Sequence, residues 1–211
     1  AHLKTHHPGS FFYGALKNEP DRQVQLRLAG EARRLGITVS APDINGSRSG
    51  FSIKREGDAV EIVGSIGDVH GVGEVAAKAV AAGQPYRSLR EVHDKTKGSG
   101  ERVTSATFTA LAKATAFRSL FPNQRVLVES AKTIWEMAAL GYEPRLASGA
   151  AIPDYTDAER IRVASDVYPL YVAACGTPAI PFSSISLLFP ADFCVNVPKA
   201  RAQRTATATA C

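Results

Sequence analysis

The chain is 211 residues long, carries a net charge of +5 and has a pI near 9.2, which suits one large soluble domain or two small ones. Pro and polar residues interrupt every apolar run short of the roughly 20 residues of a membrane span, and no signal peptide is visible, so no membrane association is expected. The mildly basic balance favours an anionic partner such as nucleic acid, and three widely spaced cysteines (Cys175, Cys194, Cys211) fit reduced thiols of a cytoplasmic protein.

Residues 1–18 read as a helix that offers Leu3, Phe11, Phe12 and Leu16 for burial and is kinked or broken at Pro8. It opens without an N-cap or an initiating Met, as expected of a piece of something longer. Asp21 caps a second helix with a stripe of Val24, Leu28 and Leu35, closed by Gly36. "ITVSAPDIN" leads out as a strand into a turn pinned by Asp43 and Asn45. "GFSIKRE" and "AVEIVGS" alternate around Gly57-Asp58 as a β-hairpin. After residues 65–80 come a helix over "YRSLREVHDKT", a loop "KGSGE", and helices over "RVTSATFTALAKATAF" and "NQRVLVESAKTIWEMAAL", with Trp135 expected in the core. Beyond Gly141 the periodicity weakens. A linker, a helix over "DAERIRVASDVY", several prolines and a basic, low-complexity tail are expected, with this end more mobile than the rest. The expected fold is α+β and mainly α-helical, divided at residues 1–60, 61–140 and 141–211.

The stretch "SIGDVHGVGEVAAKAV", residues 65–80, supports two chemistries. G-D-V-H-G offers Asp68 and His70 to a metallophosphoesterase, which needs two metal ions held by several carboxylate and imidazole ligands. No second Asp-rich motif and no N-H-E-like motif supplies the rest. The alternative is a phosphate-gripping hairpin. Gly71-Val72-Gly73 lets the backbone turn tightly and approach an anion, and "EVAAKAVAAG" then starts a helix whose free N–H groups face it. A short helix over "VGSIGD" is expected to pack against the small residues of that second helix. This helix-hairpin-helix arrangement grips duplex backbone without reading sequence. Lys78 is a candidate phosphate contact, and Lys95, Lys97 and Arg102 are candidates to extend a basic track, while Asn123 is expected only to cap a helix. A bulky residue at Gly73 is expected to block the phosphate and to force a disfavoured φ angle.

"AHLKTHHPGSFFYGAL", "EARRLGITVSAPDIN", "VHGVGE", "PYRSLREV" and "LAKATAFRSL" occur in that order. Together they resemble the fingers region of the bacterial DNA polymerase III alpha subunit, the C-family of replicative polymerases with its error-prone paralogues. The matching pieces there read Y-L-K-x-H-x-P, R-x-x-G-I-x-V-x-P-P-D-I-N-x-S, K-G-V-G-E and L-I-K-A-G-A-F. "ERIRVASDVYPLYV" is similar to the segment before that family's OB-fold domain. His70 stands where the family usually has Lys, and Ala114-Thr115 where it has Ala-Gly, so the second hairpin is expected to be degenerate.

The resemblance implies a fingers-like helical domain that binds duplex or template–primer DNA, partners a palm-bearing polymerase chain and works in the cytoplasm at the nucleoid. It places the magnesium ions on palm aspartates, and no D-x-D motif occurs here, so this chain is expected to hold no cofactor and to be inactive alone. In "SISLLF", Leu187 and Phe189 have the spacing of peptides that bind a sliding clamp. The rival reading is a stand-alone helix-hairpin-helix scaffold or repair accessory, with the phosphoesterase third.

Overall fold

His7 separates two helices, α1 (His2–His6) and α2 (Pro8–Asn18). Pro8 occupies the start of α2, where its missing N–H costs nothing, so the expected break falls just before it. The structure is a computed structural model that describes residues 2–57, 59–97, 103–145 and 152–174. Arg102, Leu187, Phe189, the three cysteines and the basic tail lie outside the described residues. Phe12 and Leu16 are buried as expected, whereas Leu3 is half exposed.

Asp21 caps α3 (Arg22–Arg34) by accepting from the Gln23 and Val24 amides. The fully buried face of α3 is Gln25, Ala29 and Ala32; of the expected stripe of Val24, Leu28 and Leu35, Leu28 packs partly buried against the core and Leu35 is exposed. Gln25 turns inward because its Nε2 donates to the Leu16 and Glu19 carbonyls (3.2 and 2.7 Å), which satisfies the end of α2. Hydrophobic periodicity alone does not register that need.

Three strands follow: β1 (Thr38–Ser40), β2 (Ser52–Glu56) and β3 (Ala59–Val63), ordered β1-β3-β2. The β2–β3 hairpin is the expected one and turns at Gly57 (φ +59°). β1 pairs parallel to β3, from Thr38 opposite Glu61 to Ser40 opposite Val63. β1 is shorter than expected because the chain turns away at Asp43, whose Oδ1 accepts from the Asn45 and Gly46 amides (both 2.8 Å).

The remaining helices are α4 (Glu74–Ala82), α5 (Leu89–Lys97), α6 (Ser105–Lys113), α7 (Gln124–Glu129), α8 (Ala131–Ala139), α9 (Asp157–Val167) and α10 (Tyr171–Ala174). The single helix expected over residues 123–140 is two, broken at Ser130 (φ −107°). Trp135 sits at the edge of the core, against the rings of Phe108 and His93 (both 5.0 Å). The segment after residue 151 contributes more to the core than its weak periodicity suggests. Thr156 and Glu159 form a capping box, and Ile161, Ala164, Val167, Tyr168, Leu170 and Tyr171 are all buried. The fold is α+β and mainly helical, and among the described residues no helix is long and apolar enough to cross a membrane.

Candidate nucleic-acid interface

The short helix expected over residues 63–68 does not form. Val63 belongs to β3, and the amides of Gly64, Ile66 and Gly67 donate to the Ser40, Arg48 and Ser49 carbonyls (3.0, 3.0 and 3.2 Å). A helix would forfeit these long-range bonds, and a buried backbone cannot leave its donors unpaired. Two tight turns take its place. The Val69 amide donates to Ile66 (3.3 Å) and the Val72 amide to Val69 (3.0 Å). Gly71, third residue of the second turn, has φ +88°, the conformation a type II turn demands there. Val72 is buried and anchors the hairpin, leaving Gly71 and Gly73 on the surface.

Gly73 is the N-cap of α4 and has no side chain with which to cap it. The first intrahelical bond runs from the Ala77 amide to the Gly73 carbonyl (2.9 Å), so the amides of Glu74, Val75 and Ala76 point outward ahead of it. Asp21, Thr104, Asn123 and Thr156 cap α3, α6, α7 and α9 with their side chains, whereas α2 and α8, like α4, have no side-chain cap. A Cβ at Gly73 would meet nothing within 4 Å, and its φ is −69°. The expectation of a disfavoured φ at Gly73 is therefore wrong; that constraint belongs to Gly71. Space beside the uncapped amides is what Gly73 provides.

The charged candidates are placed as follows in the fold. Lys78 pairs with Glu74 one turn earlier (2.7 Å), and this contact holds the Glu74 carboxyl below its ordinary range. Lys95 pairs with Glu91 (3.0 Å), donates to the Pro85 carbonyl (2.6 Å) and lies over the Tyr86 ring (5.3 Å). Lys95 thus braces the loop before α5, and exposed Lys97 follows in the last turn of that helix. Asp68 is committed to Arg22, whose Nη1 meets Oδ1 and whose Nη2 donates to the Asp68 carbonyl (both 3.2 Å). Among the described residues no three or more His, Cys, Asp or Glu gather into a group that could hold a metal ion, so Asp68 and His70 have no further ligand beside them for the metal pair of a phosphoesterase.

A second reversal ends α6. The Ala116 amide donates to Leu111 (3.0 Å) around Thr115, which sits at φ +66°. The same bonding pattern closes α3, with the Ile37 amide on Ala32 (3.0 Å), but there the left-handed residue is Gly36. The following helix start is closed. Asn123 Oδ1 accepts from the Val126 amide (3.0 Å), and Asp154 Oδ1 accepts from the amides of Arg125 (2.9 Å) and Tyr155 (2.8 Å). Arg160 donates to Asp154 Oδ2 (2.9 Å) and, through Nε, to Gln124 Oε1 (3.2 Å); Gln124 in turn caps the Ala112 and Lys113 carbonyls. Burial pushes the Asp154 carboxyl up, but the Arg125 and Tyr155 amides and the Arg160 guanidinium outweigh it and hold the group below its ordinary value. Asn123 is the plain cap the sequence implied. Asp154 carries no local motif, and Arg160, although inside the quoted "ERIRVASDVYPLYV" segment, had no role assigned from sequence.

The turn at residues 43–47 ties the loop before α5 to the second reversal. Asn45 Nδ2 donates to the Tyr86 carbonyl (2.8 Å) while its Oδ1 accepts from the Tyr86 amide (2.7 Å), and the Ile44 amide donates to the Ala116 carbonyl (2.8 Å).

Residues 36–127, from the end of α3 into α7, match the family model described as the helix-hairpin-helix motif. The chain is 31% identical over 128 residues to the DNA polymerase III subunit alpha of Haemophilus influenzae, covering 59% of this chain and 11% of that protein. It is 27% identical over 177 residues to that of Aquifex aeolicus (82% and 15%), and 28% identical over 206 residues to the error-prone DNA polymerase of Symbiobacterium thermophilum (85% and 18%). The chain thus spans between about a tenth and a fifth of the length of these relatives, and its resemblance to that polymerase family is shown.

Proposed function

We propose that this chain is the helix-hairpin-helix, fingers-type segment of a C-family DNA polymerase, and that it grips the backbone of template–primer duplex without reading its sequence. The observation that supports this reading is the turn with exposed Gly71 and Gly73, anchored by buried Val72, that feeds an uncapped helix. Three outward amides, the positive end of the α4 dipole and an empty flank at Gly73 meet at one point. A phosphate oxygen there accepts charge-assisted hydrogen bonds that carry no base information.

The nucleotidyl-transfer chemistry lies outside these residues, on a palm-bearing polypeptide that this segment accompanies in replication or translesion synthesis. Its role is to hold the duplex, not to hold metal. The chain alone should neither extend a primer nor hydrolyse a phosphate ester in magnesium, manganese or nickel. Metal-dependent turnover that vanishes in Asp68→Asn would instead restore the phosphoesterase reading.

The direct test is fluorescence anisotropy on two unrelated duplexes. Gly73→Val should fold, because φ −69° and open space accept a side chain, yet lose one or two amide–phosphate bonds at about 1.5–3 kcal/mol each. Both duplexes should weaken by about tenfold or more. Equal binding by a folded Gly73→Val variant removes the hairpin from the mechanism.

A further inference from the structure

We propose that Lys113 is the cation that serves the first hairpin, with Asp166 as its resting partner; this rests on the reading that the hairpin grips a backbone phosphate. The hairpin is wedged between the ends of two helices. A Cβ at Gly71 would lie 3.4 Å from the Ala110 Cβ of α6, and the His70 amide donates to the Val167 carbonyl of α9 (2.7 Å). Lys113 is three residues beyond Ala110 on the same helical face. Helical side chains lean toward the N-terminus, which carries Lys113 back over the turn that holds Ala110. Asp166 directly precedes Val167. The two side chains meet with Lys113 Nζ 3.5 Å from Asp166 Oδ2, 34% and 69% exposed.

An ion pair as exposed as this one is weak, so a phosphate takes the ammonium at little cost. The other cations around the hairpin are held more closely: Lys78 by Glu74 at 2.7 Å and Arg22 by Asp68 at 3.2 Å. His70 offers an imidazole where a fixed charge would be useful. Among the described ion pairs beside the hairpin, Lys113–Asp166 is the longest, and Lys113 is the cation poised to move.

The test is a salt series of duplex binding by wild type, Lys113→Ala, Lys113→Arg, Asp166→Asn and the Lys113→Ala/Asp166→Asn double variant, each checked for folding by thermal melting. Lys113→Ala should weaken binding about threefold to tenfold and flatten the log–log salt slope by about 0.9. Lys113→Arg should keep the slope. Asp166→Asn should tighten binding about twofold to fivefold, and the gain should vanish when Lys113 is absent. If the alanine variant melts early, Lys113→Gln replaces it, since it keeps most of the stem. An unchanged slope without Lys113, or an equal gain from Asp166→Asn in both backgrounds, overturns the proposal. Gly73→Val separates the two ideas. If it loses binding while Lys113→Ala does not, the hairpin stands and Lys113 falls; if it binds as wild type does, the hairpin reading itself fails. A wild type that binds no duplex overturns both.

Discussion

The two reversals of this molecule use the same left-handed backbone for opposite ends. At Gly71 the turn is made by glycine, the helix that follows is uncapped, and its amides face solvent. At Thr115 the turn is made by a β-branched residue, and the next helix start is filled by Asn123 and Asp154, with Arg160 behind them. Asp154 places a carboxylate where the first hairpin leaves room for an anion. A hairpin is therefore defined as an interface less by its fold than by whether the chain supplies its own acceptor.

The contrast can be broken most forcefully at Asp154. Asp154→Ala strands two amides and removes one of the partners of Arg160, and should cost about 2–3 kcal/mol at neutral pH in urea unfolding. Because folding holds this carboxyl below its unfolded value of about 3.9, its contribution is complete above that pH and is lost as pH falls below it. Wild-type and variant melting temperatures should therefore converge in acid, and a constant gap would show that the charge of Asp154 is irrelevant. Gly71→Ala should cost about 1–2 kcal/mol by forcing a side chain into the left-handed region. A neutral result would mean that the turn relaxes freely.

Thr115→Gly should move the other way. Relief of the left-handed strain outweighs the added freedom of the unfolded chain, for a gain of about 0.5–1 kcal/mol in the same assay. The smallest change is the most diagnostic. Gly73→Ser should raise stability by a few tenths of a kcal/mol, because its hydroxyl caps α4, while weakening duplex binding by occupying the same amides. Stability and affinity moving together at this position would refute the view that the amides are kept open for a ligand.

Local chemistry was legible in the sequence wherever one residue decides it. The Asp21 cap, the Gly57 turn, the Asp43 turn and the glycines of the first hairpin all follow from the conformations or bonds those residues permit. What escaped was decided by distant partners. Gln25 faces inward because α2 needs its amide, residues 64–67 stay extended because Ser40, Arg48 and Ser49 accept from them, and Ile161, Ala164, Val167, Tyr168, Leu170 and Tyr171 are core despite weak periodicity. Of the charged candidates, Lys78 and Lys95 are tied to neighbouring carboxylates one turn away, a spacing that was readable in advance. Lys113 lay within the quoted "LAKATAF" landmark, but only the packing of Gly71 on Ala110 shows what it stands beside.

The Asn45 side chain, bonded in both directions to the Tyr86 backbone, acts as a one-residue strand that fastens the loop before α5 to the turn on which Ala116 also rests. The reversal at Thr115 and the loop before α5 cannot part from each other without breaking that seam, so in hydrogen exchange the amides of Ile44, Tyr86 and Ala116 should open as one cooperative unit.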